Sequence, residues 1–294
     1  MSVGVGIGLA VVAALALAVQ GLAVRVGTAD RTVTEVLTVV FVVNVVVLLP
    51  VTVALAPPAL GLTPVAVAAF AAAGLLGSLA GRACYFVGIA RIGASRAEPL
   101  RALTPIFAVG AAWLVLGETI TPTLLAGVGL LVLGGAVVAT EARASPTTAT
   151  GRQLAVDLSF PLAAAVLYGV DPVVTKFALA QGTPAVVGLA VRTAAAAAVF
   201  GGYLGWRSVR TGTRPSVPLD RWTVAAGVAN TGYLLAYFGA LGRAPVVVVT
   251  PVMGVSTLFV VGGAAVFLRE DERVTARLAG GACVVVLGVV TVAL

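Results

Sequence analysis

The sequence predicts an all-α integral membrane protein with ten transmembrane helices in two inverted five-helix repeats. Three observations lead there. The 294-residue chain is 60% hydrophobic and only 10% charged, with a mean hydropathy of +1.13; a soluble domain carries roughly 25% charged residues. Apolar runs close to the ~20 residues that a helix needs to cross a bilayer recur along it. Finally, the stretch from Tyr85 to Gly135 returns from Tyr237 to Gly288: Tyr85-Phe86 matches Tyr237-Phe238, Arg91 matches Arg243, Pro99 matches Pro251 and Glu118 matches Glu270. Chance can match glycines and valines in so apolar a chain, but a Tyr-Phe pair, an Arg, a Pro and a Glu in register indicate a duplication.

The elements follow in order. Residues 3–24 form the first span; Arg25 is the first charge, so no basic segment precedes it, and the run exceeds a signal-peptide core. A charged turn, 25–31, leads to the second span, 33–56, closed by Pro57-Pro58. The third, 64–90, opens with Pro64, suited to a helix's first turn. After a loop at 91–96 come the fourth span, 97–116, and the fifth, 122–140. Residues 141–156 are the most polar stretch and read as a linker between a first repeat, 1–140, and a second, 157–294. The second repeat holds spans 158–180, 184–206, 222–241, 244–268 and 274–294, with 207–221 as its long loop. In hydrocarbon these runs must be helices, because unpaired backbone groups cannot face lipid. The early spans also align, bringing Gln20-Gly21 onto Tyr168-Gly169 and Asn44 onto Arg192. Five is odd, so the second repeat enters the membrane in the opposite sense. Inverted repeats of this kind build secondary transporters whose substrate site lies between the repeats near the midplane.

Arginine sets the predicted orientation. Thirteen arginines lie in the loops of one side, against Arg243 and Lys176 on the other. Short Arg-rich loops stay cytoplasmic, so both termini are expected to be non-cytoplasmic in a multi-pass cell-membrane protein. The net charge of +7 is then loop anchoring, and no nucleic-acid partner is expected, since the basic residues do not cluster with exposed aromatics. Cys84 and Cys283 both lie in apolar runs, histidine is absent and the carboxylates are not clustered. Neither a disulfide framework nor an enzyme's constellation is expected, and no metal or cofactor. A non-transporting assembly or structural subunit is the alternative to a carrier; polar stripes inside the spans count against it. A channel would differ from a carrier in flux that neither saturates nor runs uphill.

Ionisable groups within spans cost roughly 2.5–3.5 kcal/mol on insertion scales and face a cavity or a partner. Arg192 reads either as a substrate-facing cation or as the ion-pair partner of Asp171 or Glu98. Arg82 stands nine residues from Arg91, about 13 Å by helix rise, too deep to snorkel, and is read as facing the interior. Asn230, Tyr233 and Tyr237 share one helix face, with Ser78 and Tyr85 at equivalent positions of the third span. These stripes read as cavity lining or as interhelical hydrogen bonds worth about 0.6–2 kcal/mol each. Glu98, with Arg101 one turn on, reads as an acid at a helix start, and Asp171-Pro172 as an interruption of the sixth span. Glu118 and Glu270 read as turn and cap residues, the glycine pairs near 127 and 280 as packing faces, and spans five and ten as peripheral. Each intramembrane charge occurs in one repeat only: Leu234, Met253, Asn44, Thr250 and Ala23 stand where Arg82, Arg101, Arg192, Glu98 and Asp171 would recur. If each carboxylate neutralises one Arg, one cation remains. An anionic substrate group is therefore expected, held by Arg192 or Arg82 with Asn44, Tyr85 and Tyr237 nearby. Asp171 or Glu98 is the expected carrier of a coupling proton.

The segment EPLRALTPIFAVGAAWLVLGETITPTLLAGVGLLVLGG, 98–135, resembles the end of an EamA repeat of the drug/metabolite transporter superfamily. The segment TPVMGVSTLFVVGGAAVFLREDERVTARLAGGACVVVLG, 250–288, resembles it more loosely. The match is strongest in the Pro, the apolar span and the Leu-x-Glu turn, from Pro99 to Glu118 and from Pro251 to Glu270, and with the ten-span layout it covers nearly the whole chain. Where the family often has Trp-Gly, this chain has Gln20-Gly21 and Tyr168-Gly169; the Arg common in the second span is matched by Arg192, but by Asn44 in the first repeat. The resemblance implies a secondary transporter, an exporter, moving a small polar or amphipathic metabolite such as an amino acid by alternating access. Nucleotide-sugar and drug carriers share the fold. It would work as a monomer or homodimer in the lipid bilayer. The candidate substrate-binding residues are Gln20, Asn44, Arg82, Tyr85, Arg192, Asn230, Tyr233 and Tyr237; Glu98, Arg101 and Asp171 are coupling or ion-pair candidates.

Overall fold

The computed structural model describes residues 3–57, 60–116, 121–144, 151–214, 216–241, 243, 252–268 and 274–292. Among them every regular element is a helix: α1 (Val3–Asp30), α2 (Val33–Leu55), α3 (Pro64–Ile92), α4 (Ala94–Arg101), α5 (Thr104–Leu116), α6 (Pro122–Ala144), α7 (Gly151–Leu179), α8 (Ala185–Thr211), α9 (Arg221–Leu241), α10 (Ser256–Phe267) and α11 (Ala276–Val292). Five of these, α1, α2, α3, α7 and α8, are long and apolar enough to cross a membrane, and shorter apolar helices accompany them. Glu118 and Glu270 lie outside the described residues.

Local chemistry explains the helix ends. Thr32 and Glu35 form a reciprocal cap at the start of α2: each accepts the other's backbone N–H, at 3.3 and 2.9 Å. At α3 the Thr63 hydroxyl accepts the Ala66 N–H, and Pro64 occupies the first turn, where no donor is lost. Gly93, at φ 86°, turns the chain from α3 into α4 in a conformation that side chains with a Cβ avoid. The stretch expected as the fourth span is two helices, α4 and α5. Pro105 cannot donate to the carbonyl of Arg101, and the Thr104 hydroxyl takes that acceptor instead, at 2.7 Å.

Three expectations are corrected here. Asp171-Pro172 does not interrupt its span: α7 runs unbroken through both Pro161 and Pro172, since packed neighbours let a membrane helix tolerate a lost hydrogen bond. Glu98 does not stand at a helix start but in the second turn of α4, because Gly93 begins that helix earlier. The stretch read as a linker is helical at both ends, continuing α6 to Ala144 and resuming at Gly151.

The packing has a twofold character. α1 lies along α9 as α7 lies along α3, while α2 meets α8, and α6 lies along α11. The α6–α11 contact is made by small residues. A methyl group on Gly134 would meet Val285 at 2.7 Å, and one on Gly288 would meet the backbone of Leu131 at 2.7 Å. Apolar side chains stand outward along the bundle, among them Val46, Val53, Leu114 and Phe267, as a lipid-facing surface requires. Trp206 and Trp222 are exposed near the helix ends with Arg210 and Arg221 over their rings, in keeping with an interfacial belt.

Candidate functional site

A cavity of about 200 Å³ lies inside the bundle. About half of its lining falls on equivalent positions of the two repeats: Gln20 and Tyr168, Ser78 and Asn230, Arg82 and Leu234, Tyr85 and Tyr237, Arg101 and Met253, Ala102 and Gly254. The helices bring these together because each pair occupies the same place in a duplicated packing scheme. The chemistry of the pairs nevertheless differs. Arg82 and Arg101 face the cavity from the first repeat, and Leu234 and Met253 hold their places in the second. Asp171, Arg192, Tyr233 and Phe238 complete the polar and aromatic wall.

The α3 backbone loosens beside this cavity. Residues Gly74–Gly81 form a π-helical stretch, a feature common where helices serve a site. It lets α3 press against α8: a methyl on Gly74 would overlap the Arg192 carbonyl, and one on Gly77 would stand 2.9 Å from Arg192 Nη2 and from the Asp171 carboxylate.

Two of the three intramembrane arginines are paired. Arg192 donates from Nη2 to both oxygens of Asp171, each at 3.0 Å, and from Nε to Ser78 at 3.3 Å. Arg101 grips Glu98 with two nitrogens, at 2.8 and 2.6 Å. Glu98 is wholly buried and also accepts Tyr85 Oη at 2.7 Å and Ser256 Oγ at 2.8 Å, so one carboxylate ties α3, α4 and α10. Removing one charged member of either pair would strand the other as a buried charge. Arg82 differs. It is 4% exposed and faces the Phe41 ring at 5.3 Å, and its Nη1 finds no acceptor among the described residues.

All eleven sequence candidates are buried or half-buried in and around this cavity as lining or as direct partners of the lining; nine of them, all but Asn44 and Glu98, are on its wall. Asn44 lies behind it, donating to Asn230 at 2.8 Å and accepting from Thr231 at 2.8 Å, while Asn230 donates to Gln20 at 3.0 Å. The Asn44–Asn230 contact occupies the positions of Arg192–Ser78 in the other repeat. Glu98 likewise sits behind the wall, under Arg101. Tyr168, Ser256 and Phe238 were absent from the candidates. Tyr168 was accessible through its alignment with Gln20 and Phe238 through its match with Phe86 in the repeated Tyr-Phe pair; Ser256 carried no signal. Spans five and ten are not equally remote, since Val289 of α11 reaches the cavity.

Known proteins give an independent view. The family model of the EamA-like transporter family matches residues 4–140 and 157–294. A crystal structure of a protein 18% identical to this chain superposes with a TM-score of 0.64, covering 97% of this chain and 96% of the other; at that identity it shows the fold alone. Among curated proteins none matches the sequence. With its two matches taking in nearly all of both halves, the chain belongs to the EamA-like transporter family.

Proposed function

We propose that this protein is a secondary transporter that carries a small polar or amphipathic metabolite across the cell membrane by alternating access. The observation that carries the proposal is the cavity, about half of whose wall falls on equivalent residues of both repeats, the arrangement expected where two inverted units rock about a shared site. In this reading α4 and α5 form one broken span, the chain has ten spans, and its halves are 1–140 and 157–294. The lining residues of α7 and α9 lie toward Leu179 and Leu241, and those of α1 and α3 lie from the middle of their helices toward Asp30 and Ile92. The arginine asymmetry assigns the first pair of ends and both termini to the outside and the second pair to the cytoplasm, so the cavity lies between the two faces. The Glu98 cluster joins α3, α4 and α10 beside the cavity. Net export follows the family. Asp171, which faces the cavity, is the proposed proton carrier in preference to Glu98, which does not.

Purified protein in proteoliposomes, offered a metabolite panel with and without a proton gradient, tests this. Saturable flux that runs uphill on the gradient is expected for at least one compound. Non-saturating, strictly downhill flux would make the protein a channel, and no flux for any compound would favour a structural subunit.

A further inference from the structure

We propose that Arg82 is an anion-binding residue, and that the cavity takes an organic monoanion: one carboxylate at Arg82 and an apolar body against the apolar and aromatic residues of the wall. The proposal deepens the transporter reading and rests on it only for the step of movement. Three arginines and two carboxylates lie within the spans, and the structure pairs Arg192 with Asp171 and Arg101 with Glu98. The site is left with one positive charge. Arg82 carries it, nine-tenths buried, on the cavity wall, with Nη1 lacking any acceptor among the described residues.

A buried cation without a partner is costly. The second repeat shows that the position does not need one, since its equivalent is Leu234. A guanidinium kept there with Nη1 lacking an acceptor among the described residues is suited to a partner that arrives from outside, and its planar fork matches a carboxylate. The same wall offers apolar surface at Leu234, Phe238, Met253 and Val289, and the stacked rings of Tyr233 and Tyr237, 5.7 Å apart, add a flat aromatic face. A single net positive charge favours a monoanion over a dianion, and it disfavours a cation outright.

The test uses matched probes on the purified protein in detergent. These are phenylacetate, its amide and phenethylamine, and the corresponding butyrate set, read by ligand-induced thermal stabilisation in chloride-free buffer. At least one carboxylate should bind roughly 10- to 150-fold more tightly than its amide, the worth of a hydrogen bond to a charged group, and the amines should not bind. Arg82→Gln should erase that preference. It should also leave the unliganded protein as stable as before or more so, because an unpaired buried charge is gone. A residue with a purely structural role would destabilise the protein instead. Arg82→Leu, which copies the second repeat, serves should the glutamine variant misfold. The proposal is overturned if no carboxylate outbinds its amide, if Arg82→Gln or Arg82→Leu binds it equally well, or if chloride stabilises as strongly as the carboxylates, which would mark an inorganic-anion site. Carboxylate binding without flux in proteoliposomes would sink the carrier reading and leave Arg82 assigned. Flux of neutral or cationic compounds, with no carboxylate preference, would do the reverse.

Discussion

One nitrogen of Arg192, Nη2, stands 3.0 Å from both carboxylate oxygens of Asp171. The two side chains come from α8 and α7 and are largely buried, at 6% and 15% exposure, so the pair is a compensated charge inside the membrane. Such a pair adds little net stability over an apolar equivalent, but losing one member is severe. Asp171→Asn and Arg192→Gln should each cost about 3–5 kcal/mol, and the double variant should recover most of the loss. Thermal unfolding of the four proteins in detergent closes the cycle; additive losses would mean that the charges do not interact.

The same aspartate faces the cavity while Glu98 is enclosed by Tyr85, Arg101 and Ser256. Asp171→Asn is therefore expected to abolish gradient-driven transport while sparing substrate exchange, which needs no net proton movement. Glu98→Gln should also lower the amount of folded protein but leave gradient-driven transport in the molecules that fold. Unchanged pH dependence of uptake in both variants would remove proton coupling through these carboxylates.

Close approach of α3 to α8 depends on Gly74, where a methyl would overlap the Arg192 carbonyl. Backbone cannot move aside as a flexible side chain can, so Gly74→Ala should destabilise by about 1–3 kcal/mol. Gly8→Ala, where nothing lies within 4 Å of the added methyl, is the control and should be neutral or slightly stabilising. Equal melting temperatures for the two variants would contradict the packing.

Asp220 caps α9, its Oδ1 accepting the N–H groups of Trp222 at 2.9 Å and Thr223 at 3.1 Å. Slight burial works against its ionisation, but these donors outweigh it and hold the carboxyl below the ordinary aspartate range, with Arg31 nearby. A pKa depressed by folding stabilises above the unfolded value and the contribution fades as pH falls through the folded one. Stability should thus drop below about pH 4. Asp220→Ala should cost about 0.5–2 kcal/mol at neutral pH and weaken that acid dependence, as read from melting curves across pH.

Topology is open to a direct measurement. Alkaline phosphatase fused to the C-terminus should be active and a fluorescent protein fused there dark, because the thirteen loop arginines belong on the cytoplasmic side. The opposite pattern would invert the orientation and leave the duplication intact.

Hydropathy and the repeat were sufficient for the helical membrane class, the duplication and the family, because these depend on the one-dimensional order of apolar and polar residues. The stripe of Asn230, Tyr233 and Tyr237 was legible too, since positions three and four residues apart share a helix face whatever that face meets. What each stripe meets was not legible. Asn44 and Asn230 read alike in sequence, yet Asn230 is on the cavity wall and Asn44 behind it. Likewise, three arginines and two carboxylates left open which cation stays unpaired, since an ion pair depends on helix rotation and side-chain reach across a packed interface. The glycines at 74 and 77 bring α8 close enough for Arg192 to reach Asp171, and only that tertiary contact decides that Arg82 is the arginine whose Nη1 lacks an acceptor among the described residues.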